Sequence, residues 1–268
     1  MSRIERAFAR LRARGERALI PYFSAGDPSL AITRRLLQEA TRQGADLIEL
    51  GVPFSDPLAD GTVIQRASQR ALAGGTTLLR VLELLREVRG GVAVPVALLT
   101  YANPLFSFGL KAFARAAADA GVDGVIVADL PPEEAGELSA EARVVGLDLI
   151  HLVAPTSSPE RMRMIARRSR GFIYAVSLTG VTGARAELPP DLARYLADLR
   201  AITTKPLCVG FGISTPEQVS ALAPYVDGII VGSAIVREVE AHAGSEALVP
   251  EVGRFIASLK APLRKTAR

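Results

Sequence analysis

The sequence predicts an α/β fold, a single (β/α)8 TIM barrel over residues 1–268 with an extra N-terminal helix. Three observations predict it. First, eight short apolar runs recur along the chain, at 19–24, 47–51, 94–101, 124–129, 148–154, 172–177, 207–212 and 228–232. Most are near-continuous Val, Ile and Leu, the pattern of strands covered on both faces in a parallel sheet. Second, amphipathic helical stretches separate the runs, and helices between parallel strands make right-handed crossovers. Third, 268 residues suit eight such units in one barrel. An open doubly wound sheet is the alternative that the same alternation allows.

The elements follow in order. A helix over 4–14 precedes the first strand and is placed to plug the barrel bottom. A second, over 29–43, starts at a Ser29 cap after Asp27-Pro28 and stops at Gly44. A helix over 110–120 ends at Gly121. Thr215 caps another, with Pro216 in its first turn. A last short helix, 234–240, opens after Gly232-Ser233. The loop 178–190 carries Gly180 and Gly183 and ends in Pro189-Pro190. At a strand end, a loop of that length reads as a lid.

Composition narrows the function classes. The chain is 49% hydrophobic and 22% charged, enough for a large core without staples. Its net charge is +4, and of 32 basic residues only Lys111, Lys205, Lys260 and Lys265 are lysines. The basic residues are spread over helices. The modest cluster Arg161, Arg163, Arg167, Arg168 and Arg170 reads as a solvated helix face, so no nucleic-acid surface is expected. A single cysteine, Cys208, forbids a disulfide within the chain. No apolar run reaches membrane-spanning length, and the charged amphipathic start lacks the apolar core of a signal peptide. The expectation is a cytoplasmic protein with no membrane association.

Barrel active sites form at the C-terminal strand ends. There, Glu49 lies within the apolar run Leu47-Ile48-Glu49-Leu50-Gly51. Desolvation of such a carboxylate raises its pKa toward the working pH of a general acid/base; a rim ion pair is the structural alternative. In the following loop Asp60 is positioned to return to the pocket while Asp56 faces outward, although turn capping suits either aspartate equally. Three glycine-bearing strand ends come next: Thr179-Gly180-Val181-Thr182-Gly183, Val209-Gly210-Phe211-Gly212-Ile213-Ser214 and Val231-Gly232-Ser233-Ala234. Gly lets backbone N–H groups approach an anion, and the helix after Gly232-Ser233 presents a positive end, so these ends predict a phosphate site. None of the lysines sits where a Schiff-base aldolase needs one. Two histidines, His151 and His242, are too few for a metal aldolase, and His151 reads as a hydrogen-bonded core residue. No metal site is expected, and the chemistry points to carboxylates.

The run Leu50-Gly51-Val52-Pro53-Phe54-Ser55-Asp56-Pro57-Leu58-Ala59-Asp60-Gly61 resembles the signature of the tryptophan synthase alpha subunit family. The resemblance extends over nearly the whole chain. It includes Pro21-Tyr22, Gly26-Asp27-Pro28, Tyr101-Ala102-Asn103-Pro104, Ala128-Asp129-Leu130-Pro131, Gly180-Val181-Thr182-Gly183, Gly210-Phe211-Gly212-Ile213-Ser214 and Gly232-Ser233-Ala234-Ile235-Val236. Thr62, Thr100 and Leu178 depart from the residues more usual in relatives. The resemblance implies a lyase of tryptophan biosynthesis that splits indole-3-glycerol phosphate into indole and glyceraldehyde 3-phosphate. It implies Glu49 as general acid/base, Asp60 as second acid and Tyr174 beside the substrate. Gly183, Gly212, Gly232 and Ser233 would hold the phosphate. Tyr22, Leu99, Ile126, Leu152, Thr182, Phe211 and Ile230 would wall the indole pocket, although as bare features the apolar ones are ordinary core residues. Thr182 would also reach Asp60 when the lid closes.

The same resemblance implies a tryptophan synthase beta subunit as partner, in an αββα heterotetramer. No cofactor is expected in this chain; pyridoxal phosphate belongs to the beta subunit. Pro53, Phe54, Asp56, Asn103, Phe106, Pro131 and Pro132 would form the docking surface, which as sequence is also ordinary loop chemistry. Two other readings stay open from sequence: a different phosphate-binding barrel such as a sugar-phosphate isomerase, and a non-catalytic activator that only docks on the partner.

Overall fold

Strands whose residues are apolar on both faces must be covered on both faces, and here they are. The computed structural model describes residues 1–177, 190–210 and 212–264. In chain order it has α1 (Arg3–Arg14), β1 (Ala18–Ser24), α2 (Leu30–Arg42), β2 (Ile48–Gly51), α3 (Thr62–Ala73), α4 (Leu78–Val88), β3 (Val96–Thr100), α5 (Ala102–Phe108), α6 (Leu110–Asp119) and β4 (Gly124–Val127). It continues with α7 (Gly136–Val145), β5 (Asp148–Ile150), β6 (Leu152–Val153), α8 (Pro159–Arg168), β7 (Ile173–Val176), α9 (Pro190–Ile202), β8 (Leu207–Gly210), α10 (Pro216–Leu222), β9 (Gly228–Val231), α11 (Ser233–Ala241) and α12 (Leu248–Lys260).

The strands are parallel and run β5-β4-β3-β2-β1-β9-β8-β7-β6. β5 and β6 are two pieces of one stave, separated by His151 alone. The first piece pairs with β4 (Gly124 opposite Asp148) and the second with β7 (Leu152 opposite Tyr174). The His151 carbonyl accepts the Tyr174 N–H at 3.2 Å. The sheet therefore meets itself on its fifth stave, and the expected eight-stave barrel is what forms. The sequence read 148–154 as one strand. The structure splits it at His151.

Strand alternation sorts side chains between the barrel interior and the helix layer. Leu19, Ile48, Leu50, Leu98 and Val125 face the helices in the large outer core, while Ile20, Ala97, Ile126, Ile150, Phe172, Tyr174, Cys208 and Ile230 fill the interior. The extra N-terminal helix closes the bottom. Ser2 and Glu5 form a capping box at its start and Gly15 ends it at φ 70°. Its Ile4, Phe8 and Leu11 join the interior cluster. A Cβ placed on Gly124, at the start of β4, would lie 2.9 Å from Ile4, and one on Gly228, at the start of β9, 3.4 Å from Phe8. The absent side chain at Gly124 leaves room for the plug, whereas at Gly228 the tight neighbour is the Cys208 thiol, at 2.8 Å. With the bottom sealed, the strand C-termini are the end left for a substrate.

The predicted caps are present. Ser29 accepts the Ile32 N–H at 3.2 Å, and Thr215 and Gln218 form a reciprocal capping box. Except for β1, which starts one residue earlier than its run, the strands are shorter than the apolar runs. β3 starts at Val96 rather than residue 94, since Pro95 has no N–H to give a ladder.

Candidate active site

Alternation along β2 turns Ile48 and Leu50 outward and Glu49 inward. Glu49 is 1% exposed, and its Oε2 has no hydrogen-bond partner among the described residues. Burial, then the nearby charge of Asp60, pushes its carboxyl up to about 8. Its register neighbours are Tyr22 on β1 and Ala97 on β3.

Asp60 reaches the same cavity from the loop after β2, just before Gly61 caps α3. Its N–H bonds the Pro57 carbonyl at 3.0 Å, and the Gln65 side chain donates to its carbonyl at 2.8 Å. The Tyr101 hydroxyl accepts the Ala59 N–H at 3.1 Å and hydrogen-bonds the Asp60 carboxylate. Burial raises the Asp60 carboxyl to about 6, with the Tyr101 bond pulling it partly back. Near neutral pH, therefore, one cavity holds a protonated Glu49 beside an ionised Asp60. Two acids driven to opposite states by their surroundings have the arrangement of a proton donor and a charge stabiliser.

Two tyrosines stand over glycines at strand ends. A Cβ on Gly51 would lie 2.2 Å from the Tyr22 hydroxyl, and one on Gly210 would lie 2.5 Å from the Tyr174 hydroxyl. The missing side chains are what let both rings lean into the mouth. Burial raises both phenols well above their ordinary range, so they stay neutral.

The cavity measures about 240 Å³. Of the expected residues, Glu49, Asp60, Tyr174, Gly212, Gly232, Ser233, Tyr22, Leu99 and Ile230 line it. Gly212 has φ 77°, and Gly232 precedes α11, whose first turn has neither a capping side chain nor an acidic residue. Its leading N–H groups are thus available to an anion. Gly183, Thr182, Phe211 and the loop expected to be a lid, apart from Pro190 at the start of α9, lie outside the described residues.

Ile126 and Leu152 do not reach the cavity wall. Both face the interior, but Ile126 is fully buried in the apolar layer and Leu152 packs against that layer. Alternation predicts which way a side chain points and not how deep it lies. Sequence reasoning also missed part of the wall: Gly61, Thr62, Val63, Ile64 and Arg237. The first four follow Asp60 directly into the first turn of α3. Arg237 stands four residues after Ser233, on the same helix face. Those spacings were the available signals.

In the loops expected to dock a partner, Asp56 and Asn103 are exposed and Phe106 is 56% exposed. Phe54 and Pro131 are half-buried, the former tilted against Tyr101 with ring centroids 5.2 Å apart. Pro53 and Pro132 are buried within this chain, so they shape the loops and offer no surface. His151 is buried, and burial lowers its imidazole to about 4. The Lys205 ammonium donates to the carbonyls of Ala166, Arg167 and Ser169 at the end of α8. Among the described residues no group of three His, Cys, Asp or Glu side chains is placed to hold a metal ion, and no helix is long and apolar enough to cross a membrane.

Residues 8–262 match the family model described as tryptophan synthase alpha chain. The tryptophan synthase alpha chain of Geobacter sp. (strain M21) is 52% identical over 268 residues, covering 100% of both chains. That of Geobacter sulfurreducens is 49% identical over 260 residues, covering 97% of this chain and 98% of the relative. Among solved structures, tryptophan synthase subunit alpha from Legionella pneumophila superposes with a TM-score of 0.91 at 39% identity, covering 98% of each chain. A chain of M. tuberculosis tryptophan synthase in its aminoacrylate-bound form gives 0.88 at 34% identity, covering 98% of this chain and 100% of that one.

Proposed function

Because the chain belongs to the tryptophan synthase alpha chain family, we propose that its cavity performs the family reaction through Glu49 and Asp60. The chain is a carbon–carbon lyase of tryptophan biosynthesis, cleaving indole-3-glycerol phosphate to indole and glyceraldehyde 3-phosphate. That membership sets aside the sugar-phosphate isomerase and the non-catalytic activator.

The roles follow from the site. Retro-aldol cleavage needs a proton on indole C3, which loads positive charge onto the ring nitrogen. Glu49, protonated near pH 7, donates that proton. Asp60, ionised there, accepts a hydrogen bond from the ring N–H as its charge grows. The bond from C3 to the side chain then breaks, its electron pair returning to the ring. The Glu49 carboxylate takes the hydroxyl proton as the aldehyde forms, which resets the acid. Tyr174 lies beside the substrate, and Tyr22, Leu99 and Ile230 wall the indole. Backbone N–H groups at Gly212, Gly232 and Ser233 hold the phosphate. Gly183, Thr182 and Phe211 join these sets on the resemblance alone, while Ile126 and Leu152 back the wall. The observation that carries this reading is the buried carboxyl of Glu49, whose Oε2 has no hydrogen-bond partner among the described residues, in the same cavity as Asp60.

We read residues 1–268 as one catalytic domain working in the cytoplasm. Its partner is a tryptophan synthase beta subunit, which carries the pyridoxal phosphate, in an αββα assembly. The exposed Asp56, Asn103 and Phe106 mark the docking side.

Indole release by the full chain tests the roles. Glu49→Gln lowers kcat by at least about 10²-fold, the scale of a lost general acid. Asp60→Asn loses most activity, and both variants retain binding of glycerol 3-phosphate. Turnover near wild type in either variant removes that residue from the mechanism.

A further inference from the structure

Four arginine and glutamate side chains crowd the edge where α3 meets α11, and three of them are committed to each other. Arg66 and Arg70 both pair with Glu240, and Arg70 also holds Asp27. Arg237 is the exception. It lines the cavity, it is exposed, and among the described residues it forms no hydrogen bond or ion pair. Arg237 is not among the groups that shift either acid: burial and Asp60 act on Glu49, and burial and Tyr101 act on Asp60. Its free guanidinium therefore belongs to another part of the cavity.

Helix geometry says which part. Arg237 is four residues after Ser233, so the two side chains leave α11 on one face, one turn apart. Backbone amides alone leave a phosphate dianion's two charges to be met by partial charges only. A guanidinium adds full charge and a planar fork of donors matched to phosphate oxygens.

We infer that Arg237 is a specificity-determining residue that binds the substrate's phosphate from the second turn of α11. The inference rests on the phosphate site assigned above to Gly212, Gly232 and Ser233. The phosphate is remote from the breaking bond and keeps its charge throughout, so this contact is equal in ground and transition states. It acts on KM and leaves kcat alone.

The test uses Arg237→Gln, Arg237→Lys and Gly232→Asp (the last sets a carboxylate against the anion) in the full chain, with indole-3-glycerol phosphate as substrate and inorganic phosphate and indole as separate inhibitors. Arg237→Gln raises KM and the phosphate inhibition constant about 5-fold to 10-fold, the scale of a partly exposed charged contact. It leaves kcat and indole inhibition within about 2-fold. Arg237→Lys recovers most of the loss, and the gap between wild type and Arg237→Gln narrows as salt is raised. A merely structural role would move kcat or indole inhibition and gain nothing from lysine. If Arg237→Gln leaves phosphate inhibition unchanged while Gly232→Asp weakens it, the inference is overturned and the phosphate site stands. If neither substitution alters it, both fall together.

Discussion

Glu49 is held in the barrel mouth by its backbone and carries a proton because of its surroundings. Its stability signature follows. In the unfolded chain the carboxyl ionises near its ordinary 4.5, and in the folded chain near 8. Between those values the unfolded state has released its proton and the folded state has not, so stability falls as pH rises through this window. Above about 8 both are ionised, and the folded state carries the cost of a buried charge. Glu49→Gln is free of that cost. Its unfolding midpoint by circular dichroism should match wild type at pH 4 and exceed it at pH 9, by on the order of a few kcal/mol. Equal midpoints at pH 9 would mean that the carboxyl is not desolvated. This residue was legible in the sequence because a carboxylate is costly to bury inside an apolar strand, and few roles offset that cost. Asp60 was less so, since Asp56 fits the same loop chemistry. The hold on Asp60 by Tyr101 was not legible, because that bond joins residues far apart in the chain, in the segments that follow different staves. The state of Arg237, unpaired among the described residues, was hidden for the same reason: it depends on where Arg66, Arg70 and Glu240 end up.

Elements keep the two halves of the site in register. α3 follows the acid loop directly and α11 opens the phosphate site, and ion pairs join them. Arg70 donates to both oxygens of the buried Asp27, at 2.8 and 2.9 Å, and to Glu240 at 2.8 Å. Arg66 adds two bonds to Glu240, at 3.0 and 2.8 Å. The Arg66 and Arg70 bonds pull the Glu240 carboxyl down to about 2. That contribution is present above about 4.5 and is lost as acid protonates Glu240. Arg70→Ala strands the Asp27 carboxylate, which is 3% exposed, and should lower stability by about 2 kcal/mol, below the usual cost of breaking a buried pair because Arg70 is itself partly exposed. Arg66→Ala should cost clearly less than Arg70→Ala, since its pair lies at the surface. Urea unfolding near pH 7 measures both, and an Arg70→Ala loss no larger than that of Arg66→Ala would show the clamp to be ornamental. Periodicity made the helices and staves readable, and the caps at Ser29 and Thr215 were readable as local chemistry. The break at His151 was not, because the run 148–154 keeps its apolar pattern across it.

For the molecule as a whole, the barrel makes the acid. α1 seals the bottom with Ile4, Phe8 and Leu11, the interior beneath Glu49 is a continuous apolar layer, and α3 and α11 enclose the mouth. Water can approach from one end alone, which is why burial dominates the shift at Glu49. The measurement that tests this most directly is an infrared titration of the Glu49 carboxyl in the full chain, taken as the difference between wild type and Glu49→Gln. The protonated-carboxyl band assigned to Glu49 should persist through pH 7 and halve near 8. A band already gone at pH 6 would show an ordinary ionised glutamate at the barrel mouth, and the proposed proton donor would be lost.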